Sequence, residues 1–504
     1  MTNDNYDTAA KASIGEVSGC ADRADAQVRA VLGRVLAQRR SAGTALAYVA
    51  GLAPGVKANC WALAEAAGYE SPYRMQALLG SYRWDWRELR AELPALAQAW
   101  LPCDEDDLIG PGLAVDETAQ LKDGDATACV APQHAGCTGH VENCLTTVFS
   151  VYVTTSGQAW ADFDVFMPRR WETDLARRRA AGIPAGLGRR TKPQLAEDQL
   201  ERLLKAGLPI RWAAFDEVYG RSGALRGACQ AAGLAYVAVI PRDFRITLPS
   251  GAVITAEDAA GDAVFERRSC GNGSKGPRYA DWALAATASP RHLLLIRRLL
   301  SRPDNLAFYL CWAPDDQPAT MTFFVTIAGR RWPCEETFKT GKDTLGWDQS
   351  QVRTWDAICR HTALAALAQL RHAAIRNALC GDIILPPPPG AKEDQEEKEE
   401  KEEKEEKEEK EEKEKKVSCA DLGIPLGDAP VPARPGQPCP PGIGPVKLTI
   451  AETARLTRLA RQHAAGLITS ARLAFCLRWS RWRRRHQARA RWHHYATRLT
   501  AAST

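Results

Sequence analysis

The chain has 504 residues, 45% hydrophobic and 25% charged, with a formal net charge of +5. That length supplies roughly two to four domains and at least one large buried core. No run of about eighteen apolar residues is present, which excludes a membrane-spanning helix, and the polar start MTNDNYDTAAKAS lacks the apolar stretch of a secretion signal. The fifteen cysteines are odd in number and scattered, which fits free thiols in a reducing cytoplasm better than a disulfide framework.

In chain order, residues 1–105 read as helical. Apolar positions recur at helical spacing over 26–39 and again over 61–79, and a Trp84-Asp85-Trp86 step leads into 89–96. Strands are predicted from near Gly112, where Leu113, Ala114 and Val115 run into Asp116. Residues 145–154 and 159–167 alternate polar and apolar side chains and read as strands of one sheet. Residues 191–206 form a predicted helix with Thr191 as N-cap and Pro193 in the first turn. A short apolar strand over 210–215 ends at Asp216. A helix over 222–232 and a buried strand over 236–240 follow. This succession predicts an α/β fold.

Residues 242–320 break the rhythm with Gly, Pro and short polar turns, and read as an insertion with some β character. Residues 321–327 are predicted as a strand, and helical spacing returns over 332–377. Four consecutive prolines from Pro386 stop the fold. Residues 392–416 are Lys-Glu-Glu triplets, a solvated linker that buries no core, followed by a Pro/Gly-rich stretch over 424–445. The expected organisation is a helical region (1–105), a core in two parts (106–241 and 321–384) around the insertion (242–320), a linker (385–445) and a basic helical tail (446–504). From Ala451 onward twelve arginines stand against one acid, Glu452, which calls for an acidic partner.

Three acids stand apart by position. Asp116 and Asp216 each follow a predicted strand, and ligands gather at strand carboxyl ends in open α/β sheets. Glu335 lies at the start of a predicted helix. Each alone reads equally as a surface or capping acid, and spacing does not unite them. Brought together, they would repel one another unless a divalent cation joined them. Two Mg²⁺ ions roughly 4 Å apart stabilise both the attacking and the leaving oxygen of a phosphodiester displacement.

Several blocks in order carry a family resemblance. They are Gly112-Leu-Ala-Val-Asp116-Glu-Thr with Lys122 and Gly124; PQHAGCTGHVENC from Pro132; Met167-Pro-Arg-Arg-Trp171-Glu-Thr-Asp174; Gly182-Ile-Pro184 and Thr191-Lys-Pro193; Ala214-Phe-Asp216-Glu-Val-Tyr219-Gly220; and Arg331-x3-Glu335-x6-Lys342 with Leu345-Gly346, Val352-Arg353 and Arg360-His361. Over about residues 60–375 the chain resembles DDE transposases of the insertion-sequence-701 family. The resemblance implies a ribonuclease-H-like catalytic core, with the first aspartate on the first strand, the second at the end of the fourth and the glutamate on a later helix. It makes Asp116, Asp216 and Glu335 catalytic residues and ligands of Mg²⁺, two ions, with Mn²⁺ able to substitute. Two departures stand out. Ala328 occupies a position that is often tyrosine in relatives, and Glu117 one that is often aspartate.

Glu336 follows Glu335, so the choice needs an argument. On an α-helix residues 335, 338 and 342 share a face, grouping Glu335 with Phe338 and Lys342, while Glu336 points about 100° away. Arg331 and Lys342 are expected to grip phosphates beside the scissile bond. In the tail, Arg478, Arg481, Arg483, Arg484 and Arg485 interleave with Trp479 and Trp482, an arrangement suited to DNA phosphates and stacking. Cys129, His134, Cys137, His140 and Cys144 match none of the common zinc spacings and read as ordinary loop and strand residues. CGNGSKG from Cys270 lacks the phosphate-loop pattern and reads as a turn, and Trp282 and Trp312 read as packing residues.

The expected function is Mg²⁺-dependent cleavage at transposon ends and strand transfer into target DNA. The expected partners are double-stranded DNA, as terminal repeats and target, and a second copy in a homodimeric end complex, without membrane. The expected location is the bacterial-type cytoplasm, at the nucleoid. The alternative is a catalytically inactive, domesticated transposase that acts as a DNA-binding protein.

Overall fold

The computed structural model describes residues 3–273, 276–289, 291–387 and 446–503. The chain forms two compact units. One joins residues 1–55 to 371–504, and the other is residues 56–370. The Lys-Glu-Glu run and the Pro/Gly-rich stretch after it lie outside the described residues.

The first unit opens with helices α1 (Asn3–Val35) and α2 (Arg39–Gly51). On α1, Val17, Cys20, Ala21, Ala24, Val28, Val31, Leu32 and Val35 are buried. Their spacing of three and four residues makes the apolar stripe of an amphipathic helix.

The second unit begins with α3 (Cys60–Ala66), α4 (Tyr73–Leu79) and α5 (Trp86–Trp100). Residues 61–79, one run by periodicity, break into two helices around Gly68, whose φ is +72°. Asp85 caps α5, accepting from the Arg87 amide at 2.9 Å.

The sheet follows: β1 (Gly112–Leu121), β2 (Ala131–Ala135), β3 (His140–Val153) and β4 (Gln158–Val165), then the short helix α6 (Leu175–Ala180) and the helix α7 (Lys192–Lys205). Thr191 and Gln194 close a reciprocal capping box at the head of α7. Next come β5 (Trp212–Phe215), α8 (Glu217–Gly220), α9 (Gly223–Ala231) and β6 (Ala235–Ile240). β1 pairs antiparallel with β3 and parallel with β5, and β5 pairs parallel with β6. Helices cover both faces here, so ten consecutive residues of β3, from Cys144, are buried without alternation.

Residues 242–320 continue the sheet. After a hairpin of β7 (Arg245–Thr247) and β8 (Val253–Thr255) come β9 (Glu266–Gly273), β10 (Gly276–Ala286), β11 (His292–Leu299) and β12 (Arg302–Trp312). β12 anneals antiparallel to β6, giving ten strands in the order β2-β3-β1-β5-β6-β12-β11-β10-β9, with β4 on β3. Trp282 is fully buried in this extension, and Trp312 stacks on Tyr236 with ring centroids 6.2 Å apart.

Residues 321–327, predicted as a strand, belong to helix α10 (Met321–Arg330). Its apolar, partly β-branched run imitates a buried strand. Thr320 caps it on the Phe323 amide, and Phe323, Phe324, Val325, Ile327 and Gly329 are buried. A Cβ on Gly329 would stand 1.6 Å from the Cys270 carbonyl oxygen, so only glycine lets α10 lie this close to β9.

Helix α11 (Pro333–Lys339) runs into a π turn (Thr340–Thr344), and α12 (Trp355–Leu379) follows. Phe338 packs on Phe149 (centroids 5.7 Å), which also stacks on Trp160 (4.4 Å) and meets Trp347 edge-on (5.4 Å). This aromatic cluster anchors α11 over β3 and β4.

The first unit is completed by the end of α12, from Arg371, and by α13 (Ile450–Ala464) and α14 (Ser470–Ser503). Arg371, fully buried, donates to Asp25 of α1 at 2.5 Å, and Arg461 of α13 donates to the other Asp25 oxygen. On α14, Leu473, Cys476, Ser480, Arg484, Ala488 and Trp492 form the buried face.

Candidate active site

Asp116 lies in the middle of β1, not after its end. The strand runs five residues further because β3 pairs with it over its whole length. The parallel register sets Val115 opposite Phe215, so the next residue on each chain is an aspartate. Adjacent strands lie about 4.8 Å apart, so the two carboxylates are neighbours. Asp216 caps α8: its Oδ1 accepts the Val218 and Tyr219 amides at 3.0 and 3.3 Å.

Glu335 reaches this pair through an arginine. Arg331 donates from Nη1 to Asp116 Oδ2 (3.1 Å) and from Nη2 to Glu335 Oε1 (3.2 Å). One guanidinium thus ties the β1 aspartate to the α11 glutamate. Glu336 makes no ion pair among the described residues. Lys342 follows on a different winding. It lies half-buried on the π turn, whose wider winding ends the α-helical register beyond Thr340.

The electrostatics are those of crowded acids. Burial, with Asp216 next in weight, raises Asp116 to about 7, against the pull of Arg331. Burial and then Glu117 raise Asp216 above its ordinary value. Glu117 itself was noted in the sequence only as a departure, yet it is fixed firmly: Lys192 Nζ donates to Oε1 at 2.6 Å and Tyr219 Oη to Oε2 at 2.5 Å. Burial and the Glu117 charge drive the Tyr219 hydroxyl well above its ordinary value, so it stays a donor. The signal for this network was available in the adjacency of Glu117 to Asp116 and in a tyrosine three residues after Asp216. Arg330, beside Arg331, instead clamps Asp107 with two bonds of 2.7 Å.

Asp116, Asp216 and Glu335 are hard oxygen donors, and the charged form of Asp116 is only partly compensated by Arg331, so the residues suit a divalent cation. In the described geometry Glu335 is turned onto Arg331, and no three His, Cys, Asp or Glu side chains among the described residues stand as a ligating group. The same holds for the cysteines and histidines between 129 and 144, of which Cys129 and Cys144 are buried.

The tail arginines divide. Arg478, Arg483 and Arg485 are exposed and Arg481 is half-buried. Arg483 pairs with Glu452 at 3.3 Å. Arg484 is buried, its Nη1 on the Val446 carbonyl. It braces the segment leading to α13, which corrects the expectation that it faces DNA. Arg360 and His361 are likewise structural: Arg360 holds the carbonyls of Leu79, Gly80 and Trp84, and His361 the Trp347 carbonyl.

Comparison with known proteins agrees with the family resemblance. The protein named as the probable transposase for insertion sequence element IS701 of Microchaete diplosiphon is 26% identical over 253 residues, which are 48% of this chain and 59% of that protein. The chain thus spans about 59% of the length of this curated relative. A cryo-EM structure of the piggyBac transposase synaptic complex with hairpin DNA aligns over 69% of this chain and 68% of that one, at 11% identity and a TM-score of 0.35. The model of the DDE superfamily endonuclease family matches residues 31–281, a span that contains Asp116 and Asp216. Over residues 31–281 the chain thus matches the DDE superfamily endonuclease family, and it is similar to a transposase of the insertion-sequence-701 type.

Proposed function

We propose that this chain is a DNA transposase, which cuts at the ends of its own element and joins the freed 3′-OH to target DNA. One observation carries the reading: Asp116 and Asp216 occupy matched positions on neighbouring parallel strands, and Arg331 ties Glu335 to them. The strand order β4-β3-β1-β5-β6, three antiparallel strands followed by two parallel ones, supports a ribonuclease-H-like core.

Asp116, Asp216 and Glu335 would hold Mg²⁺, two ions, with Mn²⁺ able to substitute; the metal supplies charge neutralisation for an in-line displacement at phosphorus. Tyr219 and Lys192 hold Glu117 in place and so set the charge beside Asp116 and Asp216. Arg331 compensates the acids in the described geometry and, with Lys342, is suited to a phosphate next to the scissile bond. Cleavage and joining are both in-line displacements, so one site serves both. The partners are double-stranded DNA, as terminal repeats and target, and a second copy that pairs the two ends. The place of action is the cytoplasm, at the nucleoid.

The test is incubation of the purified chain with a duplex carrying the end of its element and Mg²⁺. Nicked ends and joined products are expected. Binding without cleavage would establish the inactive, domesticated alternative, and cutting without joined products a simple nuclease.

A further inference from the structure

The outer face of α14 carries a ladder of exposed rings. Phe475, Trp479 and Trp482 are 43%, 45% and 56% exposed. Their steps of four and three residues place them on one stripe, which His486 extends by another four. Phe475 meets Trp479 with centroids 6.2 Å apart, Trp479 meets Trp482 at 5.2 Å, and Trp482 lies parallel to His486 at 5.2 Å. Arg472 caps the row, its guanidinium 5.4 Å from the Phe475 ring. The stripe rises about 16 Å along the helix, at about 1.5 Å per residue.

Aromatic residues normally pack inward, and this helix buries its opposite face on its own unit. The outward stripe is therefore not a misplaced core. Its flanks define the occupant. Arg478, Arg485 and Arg489 are exposed on one side of it, and no Asp or Glu occurs anywhere in Ser470–Ser503. A second copy would bring two arginine-rich faces together. A membrane-surface helix carries leucines among its apolar residues, whereas here Leu473 is buried and Leu477 half-buried. Flat rings in a row beside fixed cations match a polyanion with exposed π faces. A paired duplex hides those faces in its stack; a single strand offers them.

We propose that the Phe475–Trp479–Trp482–His486 ladder binds single-stranded DNA, stacking unpaired bases while the flanking arginines track the phosphates. This deepens the reading of the tail as a DNA-binding element. It does not depend on the acids of the active site.

The test uses the full-length chain, without divalent metal, and three probes: a fluorescein-labelled 20-nucleotide oligo-dT, a mixed-sequence duplex of 20 base pairs, and phosphatidylserine vesicles. Oligo-dT is expected to bind and to quench tryptophan fluorescence. Trp479→Ala with Trp482→Ala should weaken oligo-dT binding about 100-fold, about tenfold for each ring removed. Duplex binding should change less than about threefold. Trp479→Phe with Trp482→Phe should retain most of the oligo-dT affinity, and an unchanged circular dichroism melt verifies that each variant is folded. The proposal is overturned by equal losses on both DNA forms, by no loss on oligo-dT, or by quenching on vesicles with none on oligo-dT. Any of these leaves the cleavage assay, and with it the active-site reading, untouched.

Discussion

At the scale of single residues, the two aspartates, the glutamate and Arg331 divide the work. On the proposed function, Asp116→Ala, Asp216→Ala and Glu335→Ala are each expected to abolish end cleavage while leaving end binding close to wild type, because each would remove a proposed cation ligand and no proposed DNA contact. Glu336→Ala should stay active; a dead Glu336 variant beside an active Glu335 variant would reverse the assignment. The pH dependence has a definite sign. Asp116 titrates at about 7 in the folded chain because of burial and the Asp216 charge, but at about 3.9 when unfolded. The folded state therefore binds its proton more tightly, and stability falls as pH rises between those two values. At ~1.4 kcal/mol per unit the loss has an upper bound on the order of 4 kcal/mol. Melting in EDTA should show this fall, Asp116→Asn should flatten it, and Mg²⁺ should offset it. A metal-free melt independent of pH over that range would contradict the crowded-acid picture. Arg331→Lys should keep the charge but lose the bridge, since an ammonium cannot fork between Asp116 and Glu335.

At the scale of elements, the site depends on how α11 is seated. Gly341, on the π turn after it, leaves no room for a side chain: a Cβ would lie 2.3 Å from the Trp160 ring. Trp160 is itself held between Phe149 and Trp347. Gly341→Ala should cost about 1–3 kcal/mol by overpacking and should lower cleavage beyond the unfolded fraction, by moving Glu335. Gly186→Ala, which meets nothing within 4 Å, is the matched control. Cleavage tracking stability in both variants would separate the turn from the site. These elements also mark what was legible in the sequence. Asp216 at the end of β5 and Thr191 at the head of α7 could be placed from local signals, since strand ends and caps are written in nearby residues. Helix α10 could not, because its apolar, partly β-branched run Phe323-Phe324-Val325 reads locally as a buried strand, and its fit to β9 rests on Gly329 and a carbonyl 59 residues earlier in the chain. The π turn that carries Lys342 was equally hidden. The junction of β12 with β6 is a long-range pairing that turn-rich composition disguised as an interruption.

At the scale of the molecule, the tail is part of a folded unit. Residues 446–503 supply α13 and α14, and Arg461 shares Asp25 with the buried Arg371. Removing 446–504 would therefore strip the partners of α1 as well as any DNA-binding surface. Point changes are the cleaner probe. Arg478→Ala, Arg485→Ala and Arg489→Ala together should reduce the slope of log binding constant against log salt by about 0.9 for each phosphate that is no longer neutralised. An unchanged slope would assign this face to another partner. Asp25→Ala should destabilise the unit by at most about 3–5 kcal/mol, since it removes the carboxylate paired with buried Arg371 and leaves only the more distant charge of Asp22. Shortening the Lys-Glu-Glu run should leave the melting temperature within about a degree, because that composition offers no apolar surface to a core.

The joining of residues 1–55 to 371–504 also sets a schedule for synthesis. Helix α1 leaves the ribosome with Val17, Val28, Val31 and Leu32 already facing outward. Helices α13 and α14 appear only after roughly 400 more residues, on the order of 20–80 s later at ~5–20 residues per second. Throughout that interval the apolar stripe of the nascent chain has only part of its eventual cover. A message that stops before α13 yields a product in which the stripe is never fully covered, a natural substrate for chaperones and proteases. Synthesis of α13 and α14 is thus a checkpoint, and fragments that contain Asp116, Asp216 and Glu335 but lack these helices are expected to be cleared rather than to accumulate.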